Sequence, residues 1–135
     1  MKTLIGMALA VLSLAANAED WILVNKSDKN GSLFADVSSF VVTKTEDNVQ
    51  IIAAQFHYEA RGVKSKEFAL VTEVASCKNM KGDIYTRIFS DNEWITIDEY
   101  KWDKNGSKMF DAGGKFLCTL YNYLSRKKSK TEINV

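Results

Sequence analysis

The run from Phe68 to Cys77 reads as one long strand and ends in one of only two cysteines in the chain. The other, Cys118, lies in an apolar helical pattern near the C-terminus. Two cysteines allow a single pairing within the chain. Joined, they staple a strand to a helix, and every other strand has to assemble around that joint. Closing the loop from 77 to 118 stabilises by roughly 4 kcal/mol in the loop-entropy model, strain neglected. Against a net stability of about 5–15 kcal/mol for an ordinary domain, that is a large share.

The start of the chain supports an oxidised bridge. A lysine, an apolar stretch and an Ala16-Asn17-Ala18 ending have the layout of a secretory signal peptide cut after Ala18. The apolar stretch is shorter than the ~20 residues that span a bilayer. Glu19 and Asp20 follow the cut, so no lipid-bearing cysteine is expected there and the mature chain is expected to carry no membrane anchor. Removing 18 of 135 residues leaves 117, enough for a single domain over 19–135. Lys2 is the only charge lost, which leaves 17 basic and 17 acidic side chains. That balance argues against a nucleic-acid partner, whose binder would be basic. One histidine and two cysteines are too few for a Cys/His metal site.

The chain then alternates strands and polar turns. Trp21 to Asn25 reads as a strand, and Lys26 to Ser32, with its Asn30-Gly31 pair, as a turn. Leu33 to Val37 and Phe40 to Thr43 read as extended segments with a break at Ser38-Ser39. Val49 to Glu59 is the clearest strand, with Ile52, Ala54, Phe56 and Tyr58 on one face and Gln55, His57 and Glu59 on the other. Arg61 to Ser65 reads as a loop. In the 68–77 run the Cys77 face carries Ala69, Val71 and Ala75, small enough for a helix to lie close, with Glu73 as a possible bulge. Turns at 81–83 and 90–93 precede strands Ile84 to Phe89 and Trp94 to Trp102. With no proline to remove ladder donors, this is an antiparallel meander of five to six strands. Asp103-Lys104-Asn105-Gly106-Ser107 repeats residues 28–32 and reads as turn chemistry rather than a calcium loop. Ser107 could cap a helix, but Gly113-Gly114 interrupts it at about 1 kcal/mol per glycine. From Lys115 the spacing of Phe116, Leu117, Leu120, Tyr121 and Leu124 is helical. The Arg126 to Lys130 run is expected to end the helix and fray. The fold class is therefore α+β, with the C-terminal helix packed on the sheet through one disulfide.

Candidate chemistry is sparse. His57 could do acid-base work, but on the polar face, with no nucleophile motif, it reads as a surface histidine. Asp91, Glu93, Asp98, Glu99 and Asp103 lie in turns and on alternate faces of one strand, which suits a solvated edge better than a glycosidase carboxylate pair. No phosphate-binding glycine loop or nucleophile elbow is present. The chain is therefore expected to be no enzyme and to need no cofactor. Trp94, Tyr100 and Trp102 fall on one face of a strand. Exposed, they would form a partner-binding stripe. The favoured reading packs them beneath the helix or another strand. Arg126, Lys127, Lys128 and Lys130 could touch polyanions, although such a run is more often a solvated terminus.

Asp20-Trp21 after the signal, Phe34-Ala35-Asp36 where a Tyr-x-Asp-like element is expected, Ser39-Phe40-Val41, a mid-chain cysteine after a long strand and a last cysteine in a C-terminal helix are a combination. Together they make the chain similar to the surface-adhesin protein E family. The resemblance implies an antiparallel sheet with a packed C-terminal helix and a disulfide between them. It also implies a bacterial surface protein that binds host proteins such as vitronectin, laminin and plasminogen. Only Cys77 and Cys118 match family positions. The alternative is a periplasmic or secreted structural or inhibitor protein that plugs a bacterial partner's site with the turn at 103–107 or 90–93.

Overall fold

In the computed structural model, which describes residues 20–27 and 31–133, the chain forms one antiparallel sheet with a single long helix across one face. The expected signal peptide, residues 1–18, and residues 28–30 of the first expected turn lie outside the described residues. The strands are β1 (Trp21–Ser27), β2 (Gly31–Lys44), β3 (Gln50–Ala60), β4 (Val63–Lys64), β5 (Phe68–Glu73), β6 (Lys81–Ser90) and β7 (Glu93–Asp103), followed by helix α1 (Met109–Ile133). Their order in the sheet is β1-β2-β3-β5-β6-β7, with the two-residue β4 also on β3. Each strand pairs with its sequence neighbour, the meander that polar turns at short spacing predict. The loop expected at 61–65 is where β4 forms. The tight turn between β6 and β7 uses positive φ at Asp91 (51°) and Asn92 (64°), residues that tolerate it.

Ser38-Ser39 bends β2 without ending it. The pairing with β3 shifts register between Asp36 and Val41, and side chains replace the ladder bonds lost there. The Gln55 N–H donates to Ser39 Oγ (2.7 Å), and that hydroxyl donates to the Asp36 carbonyl (2.6 Å). The Ser38 N–H donates to Asp36 Oδ1 (3.1 Å). Ser39 is buried, so Ser39→Ala is expected to cost about 1–3 kcal/mol by stranding Gln55 N–H and Asp36 C=O. The check is the urea midpoint, and an unchanged midpoint would mean that water takes over both groups.

The core lies between the sheet and α1. Leu33, Ile52, Phe56, Leu70, Ile84 and Trp102 meet Leu117 and the Cys77–Cys118 bridge there. Phe116 stands edge-on to Phe56 at 6.0 Å, and Phe110 stacks on Tyr100 at 4.0 Å. The disulfide has a Cα–Cα distance of 5.0 Å.

The geometry that places it there differs from the expected one. β5 ends at Glu73, and Val74–Cys77 is a 3₁₀ turn. The turn rotates Cys77 onto the side of Leu70, while Ala69 and Val71 face away from the helix. Close approach comes from the helix instead. A Cβ on Gly113 would lie 2.6 Å from Leu70 Cδ1, and one on Gly114 2.2 Å from Trp102 Cδ2. The two glycines therefore do not interrupt α1, which starts at Met109 and runs through them. Its start is held by Asp111 rather than by Ser107. The Asp111 carboxylate accepts from Lys108 N–H and Asp103 N–H, both at 2.9 Å, which caps the helix and ties it to the end of β7. In the preceding turn Asp103 accepts from Asn105 N–H (2.9 Å). The expected turn at 81–83 is already β6, with Gly82 pressed against Ser76. Beyond Tyr121 the helix outruns the sheet, so Leu124, expected on the apolar face, is 41% exposed. The basic run stays helical to Ile133 instead of ending α1.

Candidate functional site

Two recesses lie on opposite sides of the sheet near β6 and β7, and a bulge places the aromatic residues of β7 on both of its faces. Tyr100 pairs with Ile84 and Trp102 with Gly82, but the register shifts between Thr86 and Arg87, where β7 carries one extra residue, Ile97. The extra residue inverts the alternation. Trp102 is buried under α1 (2% exposed), whereas Trp94 is buried on the other face with Ile51, Ala53, Ala69 and Val71. The three aromatics therefore form no common stripe. Tyr100 alone is substantially exposed, at 41%.

On the helix side, a cavity of about 770 Å³ opens between the start of α1 and the β6–β7 edge. Phe68, Ile88, Ile97, Tyr100, Met109 and Phe110 give it an apolar lining. The cavity runs beside β7, which pairs with β6 alone among the described residues, so the outer backbone groups of an eleven-residue strand face outward. Ile95 and Ile97 of this strand are 37% and 49% exposed, while Phe89, paired with Trp94, belongs to the opposite face and is 58% exposed. An edge of this length beside an apolar recess is suited to adding an extended strand from another chain.

On the face away from the helix, a cavity of about 670 Å³ lies over Ile51 and Val71, bounded by the β2–β3 turn and by Glu73, Tyr85, Arg87 and Thr96. Arg87 is 7% exposed; one guanidinium nitrogen donates to the Trp94 carbonyl (3.1 Å), and Nε has no hydrogen-bond partner among the described residues. Burial lowers the Arg87 pKa from its usual value, and an arginine guanidinium keeps its charge in proteins. Burial, and then the carboxylates of Glu99, Asp83 and Glu73, raise the pKa of Tyr85, so its hydroxyl stays a donor.

The same face corrects the reading of His57. It is not a surface histidine but 4% exposed, edge-on to Trp21 at 4.3 Å and stacked on Phe34 at 5.1 Å. Trp21 and Phe34 stand on that face of β1 and β2, and Phe34 pairs with His57. His57 Nε2 approaches Glu59 at 3.5 Å, and Nδ1 has no hydrogen-bond partner among the described residues. The acidic residues from 91 to 103 are spread over a turn and both faces of β7 and do not converge. Arg126 and Lys127 are exposed on α1; the side chains of Lys128 and Lys130 lie outside the described residues.

Sequence reasoning missed Arg87 because a basic residue within an alternating strand reads as solvent-facing. It bonds the Trp94 carbonyl, and the Ile97 bulge sets which β7 residues share its face. No helix among the described residues is long and apolar enough to cross a membrane. Searches against protein-family models, curated proteins and solved structures find no match to this chain.

Proposed function

We propose that this chain is an exported, non-enzymatic binding module that holds an extended segment of another protein along the β7 edge. Its partner class is the one implied by the adhesin resemblance, host matrix or plasma proteins of the vitronectin, laminin or plasminogen type. The observation that carries the reading is the exposed row Ile95, Ile97 and Tyr100 on an eleven-residue edge strand beside an apolar cavity of about 770 Å³. Backbone groups of β7 supply affinity, and the recess selects apolar side chains in the bound segment. The buried disulfide supports export, since such bonds persist in oxidising compartments.

The test is binding of the mature, oxidised protein to immobilised vitronectin, laminin and plasminogen at low and high salt. Ile97→Asp puts a charge into the recess and is expected to abolish binding that otherwise survives salt. A variant with Arg126, Lys127, Lys128 and Lys130 changed to glutamine is expected to bind as before. Loss in that variant alone would reduce the interaction to screened charge attraction and overturn the proposal. Binding to none of the three, with capture instead of a periplasmic protein through the 90–93 turn, would replace it with the inhibitor reading.

A further inference from the structure

The recess on the face away from the helix lies across the sheet from the helix-side cavity and has a different chemistry. Its most unusual component is Arg87, a guanidinium 7% exposed with no carboxylate within ion-pair distance among the described residues. Taking a cation out of water without a counter-charge is costly, and a structural arginine is normally paired where it is buried. Here one nitrogen finds the Trp94 carbonyl and Nε finds nothing, while the side chain lines a cavity of about 670 Å³. Such a volume suits a small molecule.

The register of the sheet sets what such a molecule would meet. Ala69 pairs with Arg87 and Val71 with Tyr85, and Glu73 lies at the far end of β5 on the same face. Arg87 and Glu73 are thus four positions apart along the strands, about 14 Å at the backbone. Tyr85 stands midway, and Val71 and Ile51 form the apolar floor beside it. An extended dipeptide spans about 7 Å. With a hydrogen bond of about 2.9 Å at each end it bridges some 13 Å, the scale of the spacing between these two strand positions.

We propose that this recess binds a dipeptide-class zwitterion with apolar side chains, its carboxylate on Arg87, its ammonium on Glu73 and its peptide carbonyl on the Tyr85 hydroxyl. Arg87 supplies the charge-assisted pair that fixes orientation. Val71 and Ile51 take the side chains.

Titration of the ¹⁵N-labelled, oxidised mature protein with leucylleucine tests the proposal. Saturable shifts are expected at Val71, Tyr85 and Arg87. The C-terminal amide and the N-acetyl derivative each remove one charge and are expected to bind at least about tenfold more weakly, the usual worth of a charged hydrogen bond. Arg87→Met is expected to abolish binding while leaving the thermal midpoint equal or higher, because it removes an uncompensated buried charge. Should that variant not fold, the two blocked peptides carry the test on the unaltered protein. The proposal is overturned if leucylleucine gives no saturable shift, if the blocked peptides bind as well as the parent, or if folded Arg87→Met still binds. Ile97→Asp, which alters only the helix-side recess, is expected to leave these shifts intact, and losing them would overturn the assignment to this face.

Discussion

Replacing Trp102 with alanine is expected to lower the unfolding free energy by about 3–5 kcal/mol, the range for emptying a buried aromatic site. Trp102 is 2% exposed and lies against Gly114, and its indole N–H donates to Thr72 Oγ1 at 3.0 Å. Thr72 itself donates to the Asp83 carbonyl at 2.7 Å, so it keeps a partner when the indole is gone. The loss is therefore chiefly one of packing. The same contact predicts an inverted helix propensity at position 114. Alanine is the better helix former by about 1 kcal/mol, yet its Cβ would sit 2.2 Å from a rigid ring atom. Gly114→Ala is expected to destabilise by about 1–3 kcal/mol, the cost of overpacking. The two losses should be strongly non-additive, because without the indole the extra methyl has room. Urea denaturation of both single variants and the double variant checks this. Additive losses, or a Gly114→Ala protein more stable than the parent, would show that α1 does not bear on Trp102 as described.

Removing the disulfide is the second large effect. Cys77→Ala with Cys118→Ala is expected to cost about 2–5 kcal/mol. Both positions change together because either single change leaves a buried free thiol. The bridge links residues 41 apart in sequence and closes the chain segment that contains β6, β7 and the start of α1. Opening it enlarges the unfolded ensemble and frees the helix to lift from the sheet. Cys118 is fully buried and Cys77 nearly so, so a mild reductant should cleave the native bond only once denaturant opens the core. Denaturation midpoints of the oxidised and doubly substituted proteins measure the cost. A difference below about 1 kcal/mol would show that the segment keeps its structure in the unfolded chain without the bridge.

Much of this architecture is legible in the sequence because it rests on local rules. Alternation in Val49 to Glu59 places Ile52, Ala54 and Phe56 on the helix side, and polar turns between short strands dictate an antiparallel meander. The misreadings share one cause, dependence on a partner distant in sequence. Alternation assigns Trp94 and Trp102 to one face only while every residue of β7 finds a partner on β6. One extra residue, Ile97, reverses the sides, and nothing in the sequence of β7 marks it. His57 lies on the polar face as expected, but Trp21 and Phe34 arrive from two other strands and cover it. Arg87 is buried on the face that the same inversion gives to Trp94, whose carbonyl it bonds.

The sequence by itself determined most of the strands, the antiparallel meander order, the pairing of the two cysteines and the presence of a C-terminal helix, since hydrophobic period, turn chemistry and cysteine count act over a few residues or through counting alone. Only the tertiary structure decided where that helix begins, because the local cost of Gly113 and Gly114 is offset by a close approach to Leu70 and Trp102 that larger residues would forbid. It also decided which side chains meet at each recess, because a register shift between two strands moves every residue beyond it to the opposite face.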